Sequence, residues 1–339
     1  MFGAAATARA ICSAWRQQFR SLSVAPTSST QLTSFETAQL GEFVRGASSL
    51  VVLTGAGIST ESGIPDYRSP NRPPYRPLQH AEFVRSISTR RRYWARSMFG
   101  HSKMESTVPN ATHWALAALE HDGLVGHVIT QNVDSLHLKA GSRNVLELHG
   151  ALRYVHCIDC GAHEDRNLWQ ERLMESNHDW FARVSGVDGH FDRPDFDVEL
   201  QAADYEQFSV PLCTGCGGDR IKPGVVFHGG SIDRDVTQAA LRLVDSCDRM
   251  LVLGTTLPVY SSYRLARRVH ERGCGVAVVN IGPTRIDDAK GVFKVEALCS
   301  EAMKEVLAYL HVPLLPAMVE ALDANEREAR NAVREVDVA

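Results

Sequence analysis

Apolar residues along this chain fall into two rhythms. Short runs at residues 50–53 (Leu-Val-Val-Leu), 124–129, 144–146, 250–253 (Met-Leu-Val-Leu) and 275–279 (Gly-Val-Ala-Val-Val) are rich in branched aliphatics and too short for helices, so they read as buried strands. A shorter run of the same kind spans 291–297. Between them lie stretches with helical spacing. Residues 81–98 place Phe83, Val84, Ile87, Tyr93 and Trp94 on one side, and residues 113–120 place Trp114, Leu116 and Leu119 ahead of Gly123. Residues 261–272 form another helix-like segment between two strands. Strand and helix in alternation predict right-handed βαβ units and a parallel sheet. Arg90-Arg91-Arg92 reads as a solvated helix face in preference to a phosphate grip.

The strand-like runs end in small or polar residues. Two ends stand out: Thr130-Gln131-Asn132-Val133-Asp134 and Leu148-His149-Gly150. In open α/β sheets ligands bind outside the carboxyl ends of the strands, so these clusters deliver amide, carboxylate and imidazole to one crevice. The first strand runs into Thr54-Gly55-Ala56-Gly57-Ile58-Ser59-Thr60-Glu61-Ser62-Gly63. Glycines there suit close approach to a pyrophosphate, or equally a mere tight turn, and the spacing is not the usual dinucleotide fingerprint. No acidic residue follows at the end of a second strand to take a ribose. Ile64-Pro65-Asp66-Tyr67-Arg68 comes instead, with proline holding Asp66 and Arg68 on an ordered loop. Val225-Val226-Phe227, between Pro-Gly and Gly-Gly, reads as a short connecting strand, with an edge able to pair with an extended peptide as the second reading.

Two Cys-x-x-Cys knuckles, Cys157/Cys160 and Cys213/Cys216, supply four thiolates for one structural zinc. Four protein ligands close such a site to water, which makes the metal structural, and His156 and His163 are not needed as ligands. The segment between the knuckles is an insertion, and its acidic part, 188–204, reads as a surface excursion without chemistry. Cys12, Cys247, Cys274 and Cys299 are scattered, so a disulfide framework is not expected.

Composition narrows the partners. The chain has 339 residues, 44% hydrophobic and 22% charged, with a formal net charge of -4. Nothing global points to nucleic acid or an anionic membrane surface, and no apolar run has the length to span a bilayer. Residues 1–35 contain no Asp or Glu. They carry Arg9, Arg16 and Arg20, with Ile11, Trp15, Phe19 and Leu22 spaced about one helical turn apart. That is the composition of a mitochondrial transit peptide, preferred over a disordered tail of chance composition. Glu36 then falls in the first mature helix, with Phe43 and Val44 on its apolar face.

Taken together and in order, these motifs resemble the sirtuins, NAD-dependent protein deacylases. The matching set is Gly55-Ala-Gly57-Ile-Ser59, Gly63-Ile-Pro-Asp66-Tyr-Arg68-Ser, Thr130-Gln131-Asn132-Val-Asp134, Leu148-His149-Gly150, both cysteine pairs, Lys222-Pro223 through Phe227, Gly254-Thr-Thr and Asn280-Ile-Gly282. The surroundings of Tyr67, the 81–94 stretch and Asn280 to Arg285 look most like class II, the mitochondrial sirtuin-four type.

The resemblance implies a doubly wound, Rossmann-like parallel sheet with a smaller inserted zinc-binding domain and a helical module. It implies a nucleotide domain of residues 36–150 and 220–310, with a helical insertion at about 70–110, a zinc domain at 151–219, and a tail at 311–339. Gly55, Ala56, Gly57, Ile58, Ser59, Thr60 and Glu61 would hold the pyrophosphate of NAD, and Ile64, Pro65, Asp66, Tyr67 and Arg68 would form the mobile cofactor loop. Gln131, Asn132, Val133 and Asp134 would line the nicotinamide and its ribose. Gly254, Thr255, Thr256, Asn280, Ile281, Gly282 and Cys299 would take the adenosine half, and Val225, Val226 and Phe227 the substrate peptide. His149 and Asn132 would be catalytic. In the family mechanism the acyl oxygen of a modified lysine attacks the ribose as nicotinamide leaves, and His149 then acts as general base, a role suited to imidazole.

Three departures bear on acyl preference and rate. Gly224 replaces the family's acid after Lys-Pro, Phe227-His228-Gly229-Gly230 replaces its Phe-Phe-Gly-acid run, and the 69–76 stretch is short. The implied function is NAD-dependent removal of acyl groups from lysine, branched or lipoyl groups among them, on acyl-lysine proteins such as metabolic enzymes of the mitochondrial matrix. Protein ADP-ribosyl transfer by the same site is the alternative. A dehydrogenase would leave the double-knuckle insertion unexplained. A zinc-based nucleic-acid reader would need a basic patch where Asp159, Glu164 and Asp165 stand.

Overall fold

The computed structural model describes residues 31–67, 76–184, 205–316 and 318–320. In chain order its strands are β1 (Leu50–Thr54), β2 (His127–Thr130), β3 (Val145–Glu147), β4 (Gly150–Cys157), β5 (His163–Asp165), β6 (Ile221–Val225), β7 (Arg249–Leu253), β8 (Gly275–Val279) and β9 (Phe293–Val295). The helices are α1 (Ser34–Arg45), α2 (His80–Arg85), α3 (Ile87–Ser106), α4 (Ala111–His121), α5 (Leu136–Lys139), α6 (Arg166–Ser176), α7 (His178–Val184), α8 (Arg234–Ser246), α9 (Tyr260–Glu271) and α10 (Cys299–Leu310).

Six strands form one parallel sheet in the order β3-β2-β1-β7-β8-β9. Every residue of β1 is buried, because both faces of the sheet are covered. Leu50 and Val52 pack into a core with α1, α4 and α10, while Val51 and Leu53 pack into another with α8 and α9. Burial on both faces is why these strands read as continuous apolar runs instead of alternating ones. The chain moves outward from β1 to β3, then returns to lay β7 against the other side of β1. That reversal opens a crevice between the ends of β1 and β7, where doubly wound sheets bind ligands.

A three-stranded antiparallel sheet, β5-β4-β6, forms a smaller lobe with α2, α3, α6 and α7. Its core is aromatic. Trp94 meets Trp169 edge-on at 5.1 Å and donates from Nε1 to the carbonyl of Ile221 at 3.0 Å. The Arg166 guanidinium lies 5.5 Å from the Trp94 ring and Arg172 5.2 Å from Trp169. Burial of Arg166 lowers its pKa to about 10.

Local chemistry moved several boundaries. The helix expected over 81–98 breaks at Ser86, which is extended (φ -112°, ψ 117°) and whose Oγ accepts from Thr89 N at 3.1 Å, capping α3. Arg90 is neither solvated nor a phosphate grip. It is 4% exposed, donates to the Phe83 and Val84 carbonyls at the end of α2, and pairs with Asp219 at 2.7 Å. The strand expected at 225–227 is instead Ile221–Val225 and includes Pro223, which is tolerated because β6 is an edge strand. Glu36 lies in α1 and closes a capping box with Thr33. Residues 1–30 of the presequence reading, most of the C-terminal tail and the acidic excursion at 188–204 lie outside the described residues, while Ser34 and Phe35 open α1.

Candidate active site

β1, β2, β3 and β7 bring their carboxyl ends to one rim of the sheet, and His149 stands where the chain leaves that rim for β4. Leu148 N donates to the Thr130 carbonyl at 2.8 Å, and Val226 N donates to the carbonyl of His149 at 2.8 Å. Gly150 has φ +77°, and a Cβ there would sit 1.9 Å from the carbonyl oxygen of Gly224, so only glycine lets the two strands meet beside the imidazole. The ring is fixed from both ends. Nδ1 lies 3.1 Å from the Gln131 carbonyl and Nε2 3.0 Å from Ser261 Oγ. A carbonyl only accepts, so Nδ1 carries a proton, and in the neutral ring Nε2 presents its lone pair. Burial holds the His149 pKa below that of a free imidazole, opposed by the Gln131 carbonyl and assisted by His228.

Around it runs a connected polar network. Gln131 Nε2 donates to the Thr54 carbonyl and to Thr255 Oγ1, both at 3.1 Å, tying the β2 end to the β1 and β7 ends. Asn132 Nδ2 donates to the Gly55 carbonyl at 3.2 Å and to Ser59 Oγ at 3.0 Å. Ser59 Oγ donates to Asp134 at 2.8 Å, and Asp134 also accepts from Leu136 N at 2.9 Å. Burial pushes the Asp134 pKa up despite these donors. Behind them Thr54 Oγ1 meets His137 Nε2 at 3.0 Å, and Asn110 Nδ2 holds the Ile58 carbonyl at 2.7 Å and Ser62 Oγ at 3.0 Å.

Gly55 to Glu61 form the turn and 3-10 helix after β1. A Cβ on Gly57 would meet the Gly254 carbonyl oxygen at 2.8 Å, so the β1 and β7 loops touch through bare backbone. Ile64 and Pro65 are buried, Asp66 is half-buried and Tyr67 is exposed, while Arg68 lies outside the described residues. Val133 accepts at its carbonyl from Leu152 N. Thr256 accepts at its carbonyl from Arg285 N. Asn280 Nδ2 closes the next turn onto the Ile281 and Gly282 carbonyls at 2.8 and 3.1 Å. Thr60 Oγ1 donates to the Gly57 carbonyl at 3.0 Å, and Ser300 Oγ donates to Glu61 at 2.6 Å. Cys299 opens α10, its thiol directed at the Val279 carbonyl and its pKa pushed up to about 12 by burial.

Val225 and Val226 stay beside His149, but Phe227 turns into the aromatic core of the small lobe, 5.1 Å from Phe83 and 5.4 Å from Tyr93. Lys222 Nζ sits 4.7 Å from the centre of its ring and donates to the Pro223 and Val225 carbonyls, with its pKa lowered to about 8 by burial. Sequence reasoning missed Ser261, Asn110 and His137. The two serines opening the predicted helix at 261–272 were the available signal for the first.

The four knuckle cysteines converge. Cys157 and Cys216 sulfurs are 3.7 Å apart, as are those of Cys160 and Cys213, and all four lie within 4.8 Å of one another. A tetrahedral zinc with bonds of about 2.3 Å requires sulfurs about 3.8 Å apart, so the set fits that ion. Gly215 N and Gly218 N each lie 3.4 Å from a cysteine sulfur, the amide contacts a thiolate needs.

An open parallel sheet with a histidine at its ligand-bearing rim, braced by a four-cysteine lobe, defines a class of nucleotide-dependent enzymes. A profile of the Sir2 family matches residues 55–261. The NAD-dependent protein deacylase SIR4 of Monosiga brevicollis is 46% identical over 248 residues, 73% of this chain and 80% of that protein. The NAD-dependent protein lipoamidase sirtuin-4, mitochondrial, of Homo sapiens is 43% identical over 270 residues, 78% and 84% of the two chains. A solved structure described as Sir2-p53 peptide-NAD+ superposes with a TM-score of 0.65 at 29% identity, covering 81% of this chain and 98% of that one. The chain belongs to the Sir2, or sirtuin, family.

Proposed function

We propose that this protein is an NAD-dependent protein lysine deacylase whose general base is His149. The observation that carries the reading is the His149 imidazole held through Nδ1 by the Gln131 carbonyl at the ligand-bearing rim of a Sir2 chain. NAD, when bound, supplies an electrophilic ribose carbon and nicotinamide as leaving group. The chain's own residues do the rest. Gly55 to Glu61 offer backbone amides to the pyrophosphate, helped by the small residues at Gly254, Thr255 and Thr256. Asn132 and Asp134, locked through Ser59, present amide and carboxyl groups to the nicotinamide side. Asn280, Ile281, Gly282 and Cys299 line the adenosine side. His149 Nε2 takes the proton of a ribose hydroxyl, for which a neutral ring is required. Val225 and Val226 lie along the path of a substrate peptide, with Ile64 to Arg68 as the loop over the cofactor. Zinc braces the small lobe and takes no part in the chemistry, since four cysteines fill its coordination.

Residues 36–150 and 220–310 form the nucleotide unit in this reading, with the helical insertion at about 70–110. Residues 151–219 form the zinc unit, 1–35 a mitochondrial presequence and 311–339 a tail. The human relative is named as mitochondrial, which supports a mitochondrial location, and acyl-lysine enzymes of the matrix are the targets in this reading. Relatives named deacylases and a lipoamidase favour acyl removal over ADP-ribosyl transfer.

The test is incubation with NAD and acetyl-, branched-acyl- and lipoyl-lysine peptides. Nicotinamide and free lysine should appear in equal amounts, and His149→Ala should lower the rate by about 10²–10⁴-fold. Reduced cofactor, or ADP-ribose left on protein without acyl loss, would overturn the reading.

A further inference from the structure

Ser261 is the second residue of α9, the helix that follows the loop after β7. Its Oγ lies 3.0 Å from His149 Nε2, far away in sequence and on a different element. The adjacent Ser262 does something else: its hydroxyl donates to the Val259 carbonyl at 3.1 Å within the first turn of α9. Ser261 therefore directs its hydroxyl out of its own helix and onto the imidazole. The direction of the proton follows from the other nitrogen. Nδ1 must donate to the Gln131 carbonyl, so Nε2 accepts and Ser261 Oγ–H donates.

We propose that Ser261 is a positioning residue for the His149 base. Its hydroxyl engages the Nε2 lone pair before the cofactor ribose arrives, keeping the ring neutral and correctly turned, and releases that lone pair when the ribose hydroxyl takes its place. The proposal rests on His149 being the general base. One hydrogen bond is exchanged for another of the same kind, so the release has little net cost. A donor on a basic lone pair favours the neutral imidazole, because the protonated ring has no lone pair to receive it. The other groups acting on the ring are the Gln131 carbonyl, which favours the charged form, and the His228 imidazole on the segment after β6, which disfavours it.

The experiment compares Ser261→Ala and Ser261→Thr in the full chain. In the free protein, NMR titration of the His149 ring should move to higher pH in Ser261→Ala and stay near the parent value in Ser261→Thr. During turnover, the acid limb of the kcat/KM profile should move the same way. In Ser261→Ala, kcat/KM for NAD should fall about five- to tenfold with kcat within about twofold, because the free ring has lost the hydrogen bond that pre-sets it. Ser261→Thr should retain most of kcat/KM. If the alanine variant fails to fold, Ser261→Cys, with a weaker donor, should give an intermediate titration shift. An unchanged His149 titration in any folded variant lacking the hydroxyl overturns the proposal. A titration shift in a protein that proves to remove no acyl group would separate the failure of the deacylase reading from this one.

Discussion

The two lobes of this molecule are held together by different physics. The parallel sheet is buried on both faces by aliphatic side chains from five helices, and each of its long strands is continuous apolar sequence. The small lobe has three antiparallel strands, a core of rings such as Trp94, Trp169, Trp180 and Phe208, and the buried Arg166 laid against Trp94. The four cysteines add a closed metal site of the kind that stabilises small domains outright. The comparison teaches that the reaction centre lies on the seam: His149 hangs from the aliphatic sheet, while the strand leaving it belongs to the metal-braced lobe.

Removing the metal should break that symmetry most strongly. Structural zinc binding is worth about 10 kcal/mol or more of folding free energy in small domains. Cys160→Ser, or a strong chelator, should therefore unfold the small lobe while β1, β7 and β8 persist. Near-ultraviolet circular dichroism reports on Trp94, Trp169 and Trp180 in the small lobe, and hydrogen exchange reports on the sheet. Loss of most of the tryptophan signal, leaving that of Trp114 on α4, with retained protection of β7 and β8 is the expected outcome. Simultaneous collapse of both would show that the lobes fold as one unit.

Acid should probe the other lobe. His137 is fully buried and its pKa is lowered from 6.5 to about 4 by burial, and burial also holds His113, its ring 5.0 Å away, well below the ordinary imidazole value. A histidine with a depressed folded pKa stabilises the protein above its unfolded pKa, and that contribution is lost as pH falls. For His137 the window runs from about 6.5 down to about 4, and the contribution is about 3 kcal/mol. Chemical denaturation of the parent and of His137→Gln should therefore converge as pH falls across that window. Comparing the two at each pH cancels any loss of zinc, which both share. A stability difference that stays flat from pH 7 to pH 4 would sink the assignment.

The difference between the lobes also explains what the sequence disclosed. Uninterrupted runs such as Leu-Val-Val-Leu and Met-Leu-Val-Leu announced the sheet because both-face burial leaves no polar position to confuse the reading. The cysteine knuckles and the Gln131 to Asp134 cluster were equally plain, since their spacing has few other uses. The small lobe hid its structure. Arg90 looked like a solvated cation, yet its guanidinium ties the end of α2 to Asp219. The expected strand began only at Val225, yet Pro223 and Gly224 lie within an edge strand whose missing amide costs nothing. Of the reaction centre, the residues in motifs were legible. Those that position them from remote elements, Ser261 on α9, Asn110 before α4 and His137 on α5, depend on contacts that no local pattern encodes.

The smallest predicted effect tests the seam itself. A Cβ at Gly224 would lie 2.2 Å from the ring of Tyr154 on β4, and the Gly224 carbonyl already crowds Gly150 beside His149. Position 224 thus has no room for a side chain while the Tyr154 ring keeps its place. Gly224→Ala should destabilise the protein by about 2 kcal/mol, the usual cost of overpacking, by forcing the ring aside. In a Tyr154→Leu background the same substitution should cost much less, leaving a coupling of about 1–2 kcal/mol in the double-mutant cycle. Because Val226 N donates to the His149 carbonyl, displacement of β6 should also lower kcat in Gly224→Ala and recover in the double variant. Additive effects on stability would mean that the lobes accommodate strain independently at this contact. Coupled effects on both stability and kcat would place the ring of Tyr154 among the groups that set the geometry of the base.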